Sequence, residues 1–289
     1  MSCLNESLTV GYRSQGMSEP FEYHSHQEYE VYFFHAGSCR YLIHNQIYDL
    51  EPGDILLMDG MTLHKPNVQL QSAYIRSVVH FSPHWLEGLL KELGSLYLLD
   101  PFKELGHCLI RTNENAESKR LEKVIEYLWE IRKTPGRLDV YQETEIKVLL
   151  LEMLIILHRL AQKGNIKPLK EKAGKAKHAE RIATYIQENY MRELDLDFIA
   201  NELSFSKSYL SHLFKEMTGF TVMEYVMACR LTQVKYLLEM EPEKSIKEIA
   251  MESGFESASH FSRYFREREG MTARQYRRQR LEIYEKMNE

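Results

Sequence analysis

The sequence contains one unit twice, and this repeat restricts the fold of the C-terminal third more than any other feature. The two copies lie 50 residues apart at their start and 51 apart from their second half onward. The residues that match are Ile199-Ala200, Phe205, Leu210-Ser211-His212, Phe214-Lys215, Gly219, Thr221 and Tyr225 in the first copy, and Ile249-Ala250, Phe255, Phe261-Ser262-Arg263, Phe265-Arg266, Gly270, Thr272 and Tyr276 in the second. Similarity held over that many positions indicates a duplicated structural unit.

The second copy, from Ser245 to Tyr276, has the pattern of two short helices joined by a tight turn. Ser245 with Glu248 forms a capping-box signature, after which apolar residues recur at helical spacing. Gly254 provides the backbone freedom that the corner between two helices needs. Ser257 can cap the second helix, whose outward face carries small polar residues and arginines. Such a helix fits the major groove of DNA.

In the first copy, Asp195 and Ser206 are the expected helix caps. The residues predicted to contact DNA from the two copies are Lys207, Ser208, Ser211, His212, Lys215, Ala258, Ser259, Ser262, Arg263 and Arg266. Arginine can bond a guanine edge with two hydrogen bonds, which favours Arg263 for base recognition, whereas lysines and Arg266 suit phosphates. For each serine, an exposed or capping role is the alternative.

These residues resemble the AraC/XylS family of bacterial transcription regulators. SKSYLSHLFKEMTGF, SIKEIAMESGFESASHFSRYFRE and GMTARQYR carry the resemblance, which covers residues 178–280. Ala273 departs from the family, which usually has proline there. The resemblance implies a sequence-specific regulator that binds double-stranded DNA, with a DNA-contacting arginine at Arg263. It also implies a homodimer and, for an activator, contact with RNA polymerase.

Residues 21–81 are expected to form short strands, because apolar runs rich in aromatic and β-branched residues alternate with turn residues. Within them, HSHQEYEVYFFHAG reads as H-x-H-x3-E-x6-G, and PGDILLMDGMTLH places a histidine after a turn. The two segments resemble the motifs of the cupin superfamily, whose barrel holds a metal or a small molecule. Asp59 and Met61 depart from the second motif. Cupin sensor domains commonly accompany AraC-type DNA-binding domains, so the two resemblances support each other.

The predicted effector site uses polar side chains of this barrel: His24, His26, Glu30, Tyr32, Arg40, His64 and His80, with Phe34 and Tyr41 as further candidates. Neutral imidazole both donates and accepts, which suits the hydroxyl groups of a carbohydrate or related metabolite. The same ligand set, His24, His26, Glu30 and His64, could instead hold a divalent metal such as Zn, Fe, Mn or Ni. A third possibility is that the histidines only stabilise the barrel. The prediction is an effector pocket without a cofactor, with the metal as its alternative.

Residues 118–164 have helical periodicity in two amphipathic segments, which can pack on the barrel or form a subunit interface. The composition of 164–178 is that of a solvated tether. The predicted organisation is a cupin-like effector-binding barrel at 1–115, a helical hairpin for dimerisation at 116–163, a linker at 164–178 and an AraC-type DNA-binding domain at 179–289. The fold class is therefore α+β multidomain, with a cupin-like β-barrel and flanking helices followed by an all-α domain with two helix-turn-helix units.

Composition restricts the remaining classes. The net charge is −5, and residues 178–289 carry 16 Lys and Arg against 19 Asp and Glu, so DNA binding must depend on where the cations lie. Four scattered cysteines, no leader and no apolar run long enough for a membrane span favour a cytoplasmic protein without a membrane partner. A metal-dependent cupin enzyme with a DNA-binding tail and an architectural DNA-binding protein are the competing hypotheses. A regulator that is not an enzyme is favoured.

Overall fold

The computed structural model describes residues 8–16, 28–60, 62–68, 73–103, 107–113, 115–133, 138–162 and 174–288. The chain folds into two compact units, the first made of residues 1–41, 48–62 and 66–171 and the second of residues 42–47, 63–65 and 172–289. Each unit is described by itself.

Residues 8–111 form two sheets, and the larger lies wholly within the first unit. Their strands are β1 (Leu8–Gln15), β2 (Tyr29–Gly37), β3 (Cys39–Ile43), β4 (Gln46–Asp49), β5 (Asp54–Met58), β6 (His64–Val68), β7 (Tyr74–Phe81) and β8 (His107–Arg111). One sheet has the order β1-β7-β2-β5-β8 and the other the order β4-β3-β6. In the larger sheet, β2 pairs antiparallel with β5 and β7, and β1 pairs antiparallel with β7. The prediction of a sheet-rich N-terminal domain is thus confirmed.

The two faces of the larger sheet have different chemistry, because side chains alternate along each strand. Val31 and Phe33 of β2 belong to the main apolar core of the unit. Glu30 and Tyr32 of the same strand line a cavity. All four side chains are buried, so β2 is enclosed on both faces. This arrangement separates a hydrophobic layer that stabilises the unit from a polar layer that is available for binding.

Helices cover the apolar face. They are α1 (Pro83–Glu92), a 3₁₀ helix (Leu96–Leu99), α2 (Asp100–Lys103), α3 (Ala116–Arg132) and α4 (Val140–Leu160). Asn115 caps α3 by accepting from the Ser118 amide, and Asp139 caps α4 in a capping box with Gln142. The apolar stripes of α3 and α4, which include Leu121 and Leu150, join the sheet in one core. The two predicted amphipathic helices therefore bury one face against the sheet and each other.

Residues 174–288, which make up most of the second unit, form only helices and turns, as predicted. The helices are α5 (Lys175–Asn189), α6 (Leu196–Glu202), α7 (Lys207–Thr218), α8 (Val222–Met240), α9 (Ile246–Glu252), α10 (Ala258–Glu269) and α11 (Ala273–Asn288). Helix α5 begins at Lys175, inside the segment predicted as a linker, because residues 175–178 are mostly lysine and alanine, which favour helix. Helices α6 and α7 form the first helix-turn-helix unit, and α9 and α10 the second.

The predicted helix caps of both helix-turn-helix units are confirmed. The side chain of Asp195 accepts from the Phe198 amide at the start of α6, and Ser206 caps α7 in the same way. Ser245 forms the expected capping box at α9, and Ser257 caps α10. These hydrogen bonds satisfy amides that have no partner within their own helix, which explains why the helices begin at these residues.

Candidate DNA-binding surface and ligand cavity

Helices α7 and α10 have the same construction. Leu210, Leu213 and Phe214 of α7 are buried, as are Phe261 and Phe265 of α10. Because these residues recur at spacings of three and four, each helix has one apolar face turned into the unit and leaves the other face to solvent.

The structure places the predicted DNA-contacting residues on those outer faces. Exposed residues are Lys207, Ser208, His212 and Lys215 on α7, with Ser259, Ser262, Arg263 and Arg266 on α10, whereas Ser211 and Ala258 are half-buried. The hydroxyl of Ser262 donates to the Ala258 carbonyl at 2.7 Å and retains its ability to accept. Their contact with DNA remains a prediction, and their shared exposure is compatible with it.

The two recognition helices, α7 and α10, differ in the ion pairs that their cationic side chains form. On α7, Lys207 forms an ion pair of 2.7 Å with Asp197, and His212 lies 3.8 Å from Glu216. On α10, Arg263 and Arg266 have no ion-pair partner within the described ranges. The cations of α10 are therefore available to a polyanion without first leaving a carboxylate.

A buried arginine joins the loop after α5 to the turn of the second helix-turn-helix unit. Arg230 of α8 donates from Nε to the Tyr190 carbonyl and from Nη2 to the Arg192 carbonyl, both at 2.8 Å. These carbonyls follow α5, and the same guanidinium lies beside Gly254 in the turn between α9 and α10. Charged donors to carbonyls make comparatively strong hydrogen bonds, so Arg230 stabilises the placement of this loop beside the turn between α9 and α10.

In the first unit, the polar face of the larger sheet encloses a cavity of about 230 Å³. Its wall combines strands β1, β2 and β7 with residues from β3 and β6. The lining residues are Thr9, Val10, Gly11, Ser14, Glu30, Tyr32, Tyr41, Pro66, Tyr74, Arg76, Val78 and His80. Strand register explains the grouping: Thr9 and Glu30 both lie opposite His80. Cross-strand neighbours on one face of a sheet have side chains close enough to act together.

The cavity combines a carboxylate, an imidazole and hydroxyl groups. His80 Nε2 lies 3.2 Å from a carboxylate oxygen of Glu30. The hydroxyl of Tyr32 donates to the hydroxyl of Tyr74 at 2.9 Å. Burial raises the pKa values of Tyr32, Tyr41 and Tyr74 above the usual range, so their hydroxyls stay protonated and can donate. The cavity therefore offers both donors and acceptors beside aromatic rings.

Of the residues predicted for the effector site, the structure brings Glu30, Tyr32 and His80 together in this cavity, along with Tyr41. His24 and His26 lie outside the described residues.

Three other candidates do not line the cavity. Arg40 donates to Asp49 at 2.9 Å, and His64 and Phe34 are buried elsewhere in the sheets.

Sequence reasoning missed eight of the twelve lining residues, among them Tyr74 and Arg76. The signal was present, because YIRSVVHF alternates and His80 fixes the face on which Tyr74 and Arg76 must lie. Among the described residues, no group of three His, Cys, Asp or Glu side chains is placed to hold a metal ion. Two of the four predicted metal ligands are His24 and His26, so the metal alternative rests on residues outside that search.

Within the ranges that the structure describes, no helix combines the length and apolar character that crossing a membrane requires.

Two protein-family models match the chain. One, described as an AraC-like ligand binding domain, matches residues 9–173, and the other, described as a helix-turn-helix domain, matches residues 199–279. The first contains the cavity and the second contains both recognition helices.

Among known proteins, the chain is similar to the Msm operon regulatory protein of Streptococcus mutans, with 27% identity over 256 residues, covering 87% of this chain and 84% of the relative. It is also similar to the HTH-type transcriptional activator RhaR of Yersinia pestis, with 25% identity over 282 residues, covering 95% and 90%. Among solved structures, ToxT from Vibrio cholerae matches with 17% identity and a TM-score of 0.37, covering 94% of this chain and 98% of ToxT.

Proposed function

The chain belongs to the AraC-like family, with a ligand-binding domain followed by a helix-turn-helix domain. We propose that it regulates transcription by binding a specific DNA sequence under the control of a small-molecule effector. The observation that carries the proposal is the presence, in one chain, of a polar cavity and of two recognition helices with exposed cations. By linkage, an effector that tightens DNA binding must itself bind more tightly to the DNA-bound protein.

Two successive major grooves suit the geometry of the second unit. Helix α8 connects the helix-turn-helix units and has 19 residues, which gives it a length of about 28 Å. Successive major grooves on one side of B-DNA lie roughly 34 Å apart. One subunit can therefore present α7 and α10 to adjacent grooves, with some bending of the DNA.

The exposed side chains divide by chemistry. Arg263 can bond a guanine through O6 and N7, and Ala258 offers a methyl group to thymine. The serines and His212 are adaptable base readers. Lys207, Lys215 and Arg266 suit phosphate contacts, which position the helices without reading sequence. Because Lys207 already pairs with Asp197 in the absence of DNA, we expect α10 to contribute more to affinity than α7.

A homodimer is the proposed assembly. Tyr127 of α3 and Tyr141 and Val148 of α4 are large apolar side chains that remain exposed. A second copy of this chain would bury them, and it would double the DNA contacts.

For an activator, RNA polymerase is the further proposed partner, since the relative RhaR is named a transcriptional activator. We place this activity in the cytoplasm, where bacterial DNA lies, and propose no enzymatic activity, because both relatives are named as regulators.

Selection from a random pool of double-stranded DNA by the full-length protein tests this function. The expected result is one enriched sequence that occurs twice at a fixed spacing, because a dimer binds two half-sites. A single copy of the sequence would contradict the dimer alone. A pool without any enriched sequence would contradict sequence-specific binding and favour the architectural alternative.

On the selected DNA, Arg263→Ala is expected to weaken binding by about 1–3 kcal/mol and to relax the sequence preference at one position. Arg278→Ala is the matched control, because it removes one exposed cation from α11, outside both recognition helices. If both variants lose the same binding free energy and neither changes the preference at any base position, Arg263 contacts phosphate and does not read a base.

For the effector, we propose a carbohydrate or a related polyhydroxylated metabolite. Glu30, His80 and the tyrosine hydroxyls match the mixed donors and acceptors of such a molecule, and the tyrosine rings offer apolar contact. The cavity volume suits a small ligand.

Calorimetry with a panel of neutral mono- and disaccharides tests this assignment. At least one is expected to bind, and Glu30→Gln is expected to weaken its binding by about tenfold or more, because a charged acceptor is lost. Glu87→Gln, which removes a carboxylate exposed on α1, is expected to have no effect. If no saccharide binds the wild-type protein, the carbohydrate assignment is wrong, and a metal titration of the same sample then tests the alternative through His24, His26, Glu30 and His64.

A further inference from the structure

One cavity residue holds the end of an edge strand. Nη1 of Arg76 donates to the carbonyls of Ser14, at 3.2 Å, and Gly16, at 2.7 Å. The guanidinium also lies over the Tyr74 ring, 4.7 Å from its centre. Arg76 is thus both a wall of the cavity and the group that fixes where β1 ends, and a ligand that bonds to it must compete with those two carbonyls.

Strand β1 contains a bulge just before that end. Gly11 lies opposite Val78, but the next pair joins Ser14 to Arg76, so two residues of β1 face one residue of β7. One of the two, Arg13, has a φ of 43°, in the left-handed region. That conformation costs free energy for a residue with a Cβ and persists only where surrounding contacts enforce it. The geometry of the bulge therefore depends on the contacts that hold it on either side.

The contacts that enforce the bulge lead away from the cavity to helix α3. The amide of Arg13 donates to the Ser77 hydroxyl at 3.0 Å, and its guanidinium bonds Glu122 of α3 at 2.7 Å from Nε and 2.6 Å from Nη2. His35 lies between them, 2.7 Å from Ser77 Oγ and 3.7 Å from Glu122. Burial lowers the pKa of His35 to about 4, so it is neutral at neutral pH and the Glu122 charge is matched by Arg13.

We propose that the β1 bulge at 12–13 transmits the state of the cavity to helix α3. A ligand that engages Arg76 withdraws the guanidinium from the two carbonyls, and the bulge then relaxes. The bridge between Arg13 and Glu122 changes with it, and so does the placement of α3. This inference rests on the proposed function, since it takes the cavity to be the effector site, and it gives that site a route to the surface proposed for dimerisation.

Coupling of this kind is reciprocal, so it can be measured from either end without a ligand. Glu122→Gln weakens the bridge on the α3 side, because it removes the negative charge that pairs with Arg13. The expected result is that the Gly16 amide, which donates to the Tyr74 carbonyl at 3.1 Å beside the cavity, exchanges with solvent deuterium about fivefold faster or more. Arg120→Gln is the matched control. Arg120 also lies on α3, but its ion pair of 2.7 Å is with Glu152 of α4 and not with β1, so this variant should leave the exchange of the Gly16 amide unchanged.

The second arm starts from the cavity. Arg76→Met is expected to accelerate exchange of the α3 amides at 119–124 in the wild-type and Arg120→Gln backgrounds, but to add little in the Glu122→Gln background. If Arg76→Met does not fold, Arg76→Lys, which keeps the charge but not both hydrogen bonds, should give a smaller effect of the same pattern. Equal effects in all backgrounds, or an unchanged Gly16 amide in Glu122→Gln, would overturn the proposal.

These measurements use the full chain without DNA or effector. Their outcome is therefore independent of the DNA selection and of the saccharide panel: the coupling can be absent in a working regulator, and it can be present in a protein that selects no DNA.

Discussion

Gly254→Ala is expected to lower the free energy of unfolding of the DNA-binding unit by about 2–4 kcal/mol. Gly254 has a φ of +89° in the turn between α9 and α10, a conformation that an alanine adopts only with strain. A Cβ there would lie 2.8 Å from the Tyr190 carbonyl oxygen, 2.9 Å from the Met191 Cα and 3.0 Å from the Arg230 Nε. Backbone atoms cannot move aside as a flexible side chain can, so both costs apply together.

Unfolding of the full chain by denaturant, followed by the proton NMR signals of the second unit, measures this loss of free energy. Gly270→Ala is the matched control, because Gly270 has a φ of +69° but a Cβ there would meet nothing within 4 Å. It should show only the conformational cost, about 1 kcal/mol. Equal losses for the two variants would mean that the turn has room for the methyl group and that close packing around Gly254 is unimportant.

Gly37→Ala is expected to have a still larger effect on the first unit, of about 3 kcal/mol or more. Gly37 ends β2 with a φ of +114°, and a Cβ there would lie 1.5 Å from the Ala73 carbonyl oxygen and 3.1 Å from the Tyr74 Cα. Strands β2 and β7 would have to separate at this end of their pairing, where Tyr74 belongs to the cavity wall.

The same experiment on Gly88→Ala gives the contrast. Gly88 lies within α1 with open space around it, so the substitution should stabilise the unit by about 0.5–1 kcal/mol. Both variants should be compared by thermal unfolding and by saccharide binding. A Gly37→Ala protein that retains wild-type stability would show that β2 and β7 can part at this end at little cost.

Local chemistry explains what could be predicted from the sequence. Ser206, Ser245 and Ser257 each accept from the amide three residues later, so a short stretch of sequence contains both partners. The duplication then supplied a second test of each assignment. For this reason the helix-turn-helix units and their exposed faces were predicted closely, including residues such as Arg263.

The cavity was harder to predict because its walls meet through strand register. Glu30 and His80 are 50 residues apart in the sequence and face each other only because β2 pairs with β7. Arg76 was missed because it donates to backbone carbonyls at the end of β1. Every residue has a backbone carbonyl, so the amino-acid sequence does not show which of them has such a partner. Arg40 was also predicted to line the pocket, but strand alternation alone did not fix its face, and its guanidinium donates to Asp49 instead. Side-chain chemistry identified the kind of site, whereas long-range pairing decided its members.

Arg230 has a consequence for protein engineering. One buried guanidinium on α8 bonds the carbonyls that follow α5 and abuts the turn of the second helix-turn-helix unit. The duplicated units are therefore not interchangeable cassettes, although their sequences match. A chimera intended to recognise a new operator should exchange only the outward residues of α7 or α10, or should transfer the whole segment from α5 to α11 as one piece.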